Sequence, residues 1–160
     1  MDSKIQQEIV LLMNIDNLDP NKDQIKILSM CSNVLSSDKY LKELIKILDN
    51  LFNQKDFDIY SEFSRLVLSI FNLNKVVNYK KEISEKRMKY ITYACLYYYM
   101  IKHKTNWFNE QDHGKIRILF CNSWDLVSLI PETVKIAKTS CISCLSECGW
   151  LGIKSNNIAI

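Results

Sequence analysis

The sequence predicts an all-α protein, one compact single-domain bundle of about seven helices around a central hydrophobic helix. Three observations carry this. Gly (3) and Pro (2) are scarce among 160 residues, whereas a β-sandwich or barrel needs many turns built from them. Apolar residues recur at helical spacing in seven successive segments. One segment near the middle, Tyr90 to Ile101, is apolar almost all round. That is the pattern of a helix buried on every side.

The first helix covers 3–14, with Ile5, Ile9, Leu12 and Met13 on one face. Asp16 to Pro20 breaks it. Asp19 is placed to cap a second helix whose first position is Pro20, where a missing N–H costs nothing. That helix runs to Leu35 with Ile25, Leu28, Cys31 and Leu35 inward. A third, 38–54, buries Leu41, Leu44, Ile45, Leu48, Leu51 and Phe52. It exposes Lys42, Glu43, Lys46 and Asp49. A fourth, 57–72, carries Ile59, Phe63, Leu66, Val67 and Ile70. The pattern leaves 73–80 unassigned. The fifth helix, 80–104, starts charged and becomes apolar at Tyr90. Residues 105–113 read as a loop, 114–130 as a sixth helix and 131–147 as a seventh, with Pro131 able to open it and Gly149 able to end it. Either 80–104 or 114–130 can be the central helix. The domain is expected over 1–148, with a short tail at 149–160.

Apolar residues make up 48% and charged residues 24%, ordinary for a globular chain. No secretory leader or apolar run long enough to span a membrane is visible. A cytoplasmic location is therefore expected (host cytoplasm if the source is viral). Abundant Ile, Lys and Asn suit an AT-rich genome such as that of a virus, a protist or a low-GC bacterium. Of the six cysteines, Cys31, Cys95 and Cys121 stand alone inside apolar runs. Free thiols are the expectation.

Cys141, Cys144 and Cys148 share one helical face, the most metal-like feature in the chain. A tetrahedral site lacks its fourth ligand unless the fold brings up His103, His113 or Cys121. Interleaved Ile142 and Leu145 favour a packed helix, so no metal is expected. A Cys121–His113 dyad is imaginable, but Cys121 sits in an apolar run and an activated thiolate needs a polar, electropositive pocket. His103 and His113 read as solvated surface residues. The three glycines, Gly114, Gly149 and Gly152, form no phosphate loop. Asp56 and Asp58 read as turn residues. These features argue against an enzyme and against a cofactor.

Charge is uneven. Residues 1–74 hold 8 basic and 11 acidic side chains, and residues 75–160 hold 13 and 7. The densest basic stretch is Lys75, Lys80, Lys81, Lys86, Arg87 and Lys89, with Tyr79 and Tyr90 interleaved. Cations beside aromatics suit single-stranded nucleic acid. A solvated helix face, partly neutralised by Glu82 and Glu85, is the competing reading.

One pattern resembles the B-cell-lymphoma-type (Bcl-like) apoptosis regulators, in particular their viral members. Asn106-Trp107 precedes Gly114-Lys115-Ile116, Leu119-Phe120 follow, and Cys148-Gly149-Trp150 stands near the end. Leu44 and Asp49 match the spacing of a further family motif. Six residues separate Asn106-Trp107 from Gly114, and Lys115 stands where the family has Arg. The resemblance implies a helical bundle with a surface groove for an amphipathic partner helix. It implies partner contacts at Asn106, Trp107, Gly114, Lys115, Phe120 and Trp150. The resulting expectation is a non-enzymatic, viral-type accessory protein that modulates host responses by protein–protein recognition. Two alternatives stay open. One is a helical, basic-faced RNA-binding protein of the silencing-suppressor type, as a monomer or a homo-oligomer, using Lys80, Lys81, Lys86, Arg87 and Lys89. The other is a structural virion component.

Overall fold

The computed structural model describes residues 1–20, 22–55, 58–77, 83–104 and 112–129. Among these there are six α-helices and no strand: α1 (Ser3–Ile15), α2 (Asp23–Leu35), α3 (Asp38–Phe52), α4 (Ile59–Val77), α5 (Glu85–His103) and α6 (His113–Leu129). The expected seventh segment, 131–147, and the domain boundary at 148 lie outside the described residues, as does most of the expected loop at 105–113.

Short polar residues set the helix ends. The Asp2 side chain accepts from the Lys4 N–H at 2.9 Å and caps α1. At the other end Asn17 takes a left-handed φ of 52°. Its N–H reaches the Asn14 carbonyl, the Leu18 N–H reaches the Met13 carbonyl, and Leu18 turns into the core. This is a Schellman closure, with Asn where Gly is usual. Ser37 caps α3. The Asp58 carboxylate accepts the Ser61 N–H at 2.9 Å as α4 begins, in keeping with its reading as a turn residue. Asp56 lies outside the described residues.

Two sequence expectations for α2 need correction. The helix starts at Asp23, not Pro20, because Asp19 serves the turn before it. The Asp19 side chain accepts from the Lys22 N–H, and its carbonyl accepts from Asp23 and Gln24. With the start moved, Ile25 is 66% exposed and Ile27 takes its place in the core. The unassigned stretch 73–77 continues α4. Asn72 and Asn74 are buried there, which hides the apolar rhythm.

The central helix is α5. It packs against α1, α2, α4 and α6, while α4 also packs against α3 and α6. From Tyr90 to Tyr97 every residue of α5 is buried. Burying a tyrosine requires a partner for its hydroxyl, and each of these finds one on another helix or at its end. Tyr90 donates to Asp16 at 2.6 Å, Tyr93 to Glu8 at 2.9 Å and Tyr99 to Asp49 at 2.6 Å. Tyr97 meets His113 Nδ1 at 2.8 Å. Among the described residues no buried side-chain nitrogen or oxygen lacks a partner. No helix among them is long and apolar enough to cross a membrane.

Candidate functional site

A surface groove of about 300 Å³ opens where α2, the end of α4 and the start of α5 meet. On α2 it is lined by Lys26, Met30, Asn33 and Val34. This spacing of four, seven and eight places them on one face of the helix. That face lies beside the core-facing stripe of Ile27 and Cys31. On α5 the lining residues are Arg87 and Ile91, one turn apart, with Val77 and Ile83 closing the side between α4 and α5. Met30, Val34, Val77 and Ile83 are partly buried against the core and keep part of their apolar surface facing out.

The floor is Tyr40, fully buried at the start of α3. Its hydroxyl donates to Asn74 Oδ1 at 2.7 Å and lies 3.1 Å from Cys95 Sγ. Asn74 in turn donates to Thr92 Oγ1 at 3.3 Å. One buried network therefore pins α3, α4 and α5 together beneath the groove, so the floor is held rigidly. Burial pushes the Cys95 thiol up to about 12, despite contacts with Tyr40 and Asn74 that lower it. Burial, with Cys95 close by, pushes Cys31 higher still. A nucleophilic cysteine needs the opposite shift.

The rim is cationic. Lys26 is exposed and Arg87 half-buried. Among the described residues neither has an anionic partner. Further along α5 three cations are paired: Lys89 with Asp16 at 2.8 Å, Lys102 with Asp2 at 3.1 Å and Lys104 with Asp49 at 3.2 Å.

The residues singled out from the sequence are not gathered here. Asn106, Trp107 and Trp150 lie outside the described residues, as do Lys80, Lys81 and the trio Cys141, Cys144 and Cys148. Gly114 is half-buried at the start of α6. Lys115 is exposed and bound to Asp112 at 2.6 Å, which raises its pKa through that hydrogen bond. Phe120 is 0% exposed, packed against Tyr93 and Trp124 in the core, and is not among the residues that line this groove. Of the basic stretch, Lys86 is exposed and Arg87 is on the groove rim. Lys89 is held in a pair with Asp16 beside Tyr90.

The imagined Cys121–His113 dyad fails on geometry. Both residues sit on α6, eight positions apart, hence about 12 Å along the axis at 1.5 Å per residue. His113 is engaged by Tyr97 instead of standing free in solvent. Burial raises the Cys121 thiol. No group of three or more His, Cys, Asp or Glu among the described residues could hold a metal ion.

Sequence reasoning missed the groove. Its one available signal was the Met30–Val34 pair, a second apolar ridge on α2 one turn beyond Lys26. Set against protein-family models, curated proteins and solved structures, the chain matches none.

Proposed function

We propose that this chain is a non-catalytic recognition domain. Its α2–α4–α5 groove takes apolar anchor side chains from a helical segment of a protein partner. The observation that carries this is the groove itself. Partly exposed Met30, Val34, Val77 and Ile83 surround a floor that is already hydrogen-bonded and rigid. A volume of about 300 Å³ is at the lower limit of small-molecule and cofactor sites. It suits one or two inserted side chains, as in helix-in-groove recognition. A preformed floor also lowers the ordering cost of binding.

The wider reading, a viral-type accessory protein acting on host responses, comes from the Bcl-like resemblance and the composition. The groove differs from the one that resemblance implies, which would run near Trp107, Gly114 and Phe120. The RNA-binding alternative draws less support, because Lys89 is committed to Asp16.

The test is selection from a displayed library of amphipathic helical peptides against the wild-type protein, with a groove-filled Val34→Trp variant of unchanged melting temperature as control. Enriched peptides should bind wild type and lose at least about tenfold in affinity for the variant, since several apolar contacts would be lost. Peptides that bind both proteins equally, or no enrichment at all, would overturn the groove reading.

A further inference from the structure

From the charge at one end of the groove, we infer that the partner is an acidic amphipathic helix, one that places a carboxylate beside its apolar anchor. This rests on the groove reading and specifies its partner.

The inference starts from helix direction. The end of α1 lies beside the start of α5, where Asp16 holds Lys89 and Tyr90, and the start of α2 lies beside that same end of α1, where Gln24 Nε2 donates to Asn14 Oδ1 at 3.0 Å. Past the far end of α2, the Tyr40 hydroxyl lies 3.1 Å from Cys95 Sγ, further along α5. Advancing along α2 thus advances along α5, so the two helices run in the same sense. Their N-termini lie at one end of the groove. Each N-terminus presents the positive end of its dipole.

Lys26 is in the first turn of α2 and Arg87 in the first turn of α5. Both line the groove, and neither is paired among the described residues. The acidic residues of those turns, Asp23 and Glu85, do not line it. The remainder of the lining is apolar or neutral: Met30, Val34, Val77, Ile83 and Ile91, with Asn33, Ser37 and the buried Tyr40 hydroxyl. The groove therefore offers a cationic pair beside apolar surface. An Asp or Glu one turn from a Leu, Met or Phe on the partner helix satisfies both at once, because residues three or four apart share a face. Arg87 can hold that carboxylate in a two-pronged geometry. A basic partner segment would meet two cations that are unpaired among the described residues, so the same charges also exclude wrong partners.

The experiment uses the full chain and the groove-dependent peptides from the displayed library. Asp or Glu should be enriched within one turn of the apolar anchor. In a synthetic peptide, Glu→Gln at that position should weaken binding about 3- to 10-fold, the scale of a partly exposed ion pair. Arg87→Glu in the protein should reverse the selection toward Lys or Arg while leaving the melting temperature within a few degrees. Groove-dependent peptides with no acidic bias, or a bias that survives both Arg87→Glu and Lys26→Glu, would overturn the acidic partner and leave the groove reading standing. Absence of any groove-dependent peptide would overturn both. So would an oligouridylate probe that binds through Lys26 and Arg87 when no peptide does, which would favour the RNA-binding alternative.

Discussion

Glu8 on α1 and Arg117 on α6, 109 positions apart in sequence, form an ion pair at 2.6 Å with little access to water. The Tyr93 hydroxyl of α5 donates to the same carboxylate oxygen. Three helices meet on one atom. Arg117→Met should cost about 1.5–3 kcal/mol, because it leaves a buried carboxylate with one donor fewer. Tyr93→Phe should cost about 1–2 kcal/mol. The double variant should cost less than the sum, since both bonds serve one group. Urea unfolding of the four proteins checks this, and strict additivity would show that the network does not act as a unit.

Four tyrosines (Tyr40, Tyr90, Tyr93 and Tyr99) have hydroxyls held well above their usual pKa of 10. Burial is the leading cause in each, with Asp16, Glu8 or Asp49 adding to it for the last three. A raised pKa means the folded state keeps its proton while the unfolded state loses it. The stability these groups contribute is complete below pH 10 and falls as pH rises beyond it, by up to about 1.4 kcal/mol per group per pH unit. The protein should therefore unfold cooperatively soon after pH 10, with most tyrosinate absorbance appearing in that step. Gradual ionisation with circular dichroism unchanged to pH 12 would contradict the buried ladder.

Asp49 contributes to the opposite limb. Burial pushes its carboxyl up, but hydrogen bonds from Tyr99 and Lys104 outweigh this and hold it below the ordinary 3.8. Its contribution is present above 3.8 and disappears as pH falls through the depressed folded value. Asp49→Asn should flatten the acid end of the stability–pH curve and lower stability at neutral pH. An unchanged acid limb would show that the Tyr99–Asp49 bond is not formed in solution.

Leu96 lies within the unbroken buried run of α5 and is 0% exposed. Leu96→Asp introduces an unpaired buried charge, at a cost of several kcal/mol, a large part of a typical domain's stability. The variant should be unfolded by circular dichroism. Native-like melting would mean that α5 faces solvent.

Cys31 and Cys95 are buried, with their thiols pushed up by that burial. Alkylation mapped by mass spectrometry should label them only when the protein unfolds. Labelling under native conditions would show that the tyrosine-lined core opens locally.

Much of the architecture follows from local pattern. Ile5, Ile9, Leu12 and Met13 recur at helical spacing, so the buried face of α1 is legible before any folding. The same holds for the five inward residues of α4 and for α5, whose apolar circumference marks the centre of a bundle. Periodicity is a property of neighbours along the chain, so the sequence alone suffices to determine it. The start of α2 was less legible, because Asp19 can cap a helix or hold a turn and both uses look alike in sequence. Partnerships across the chain were not legible at all. That Glu8 meets Arg117, that Lys89 is spent on Asp16, and that Phe120 packs in the core all depend on which helices lie side by side. The groove is decided in the same way. Lys26 and Arg87 are ordinary surface cations in sequence, and they become one site only because α2 and α5 start at the same end of the bundle. Helical spacing carries the first kind of information within a dozen residues. The second requires contacts between residues tens of positions apart, which no local spacing encodes.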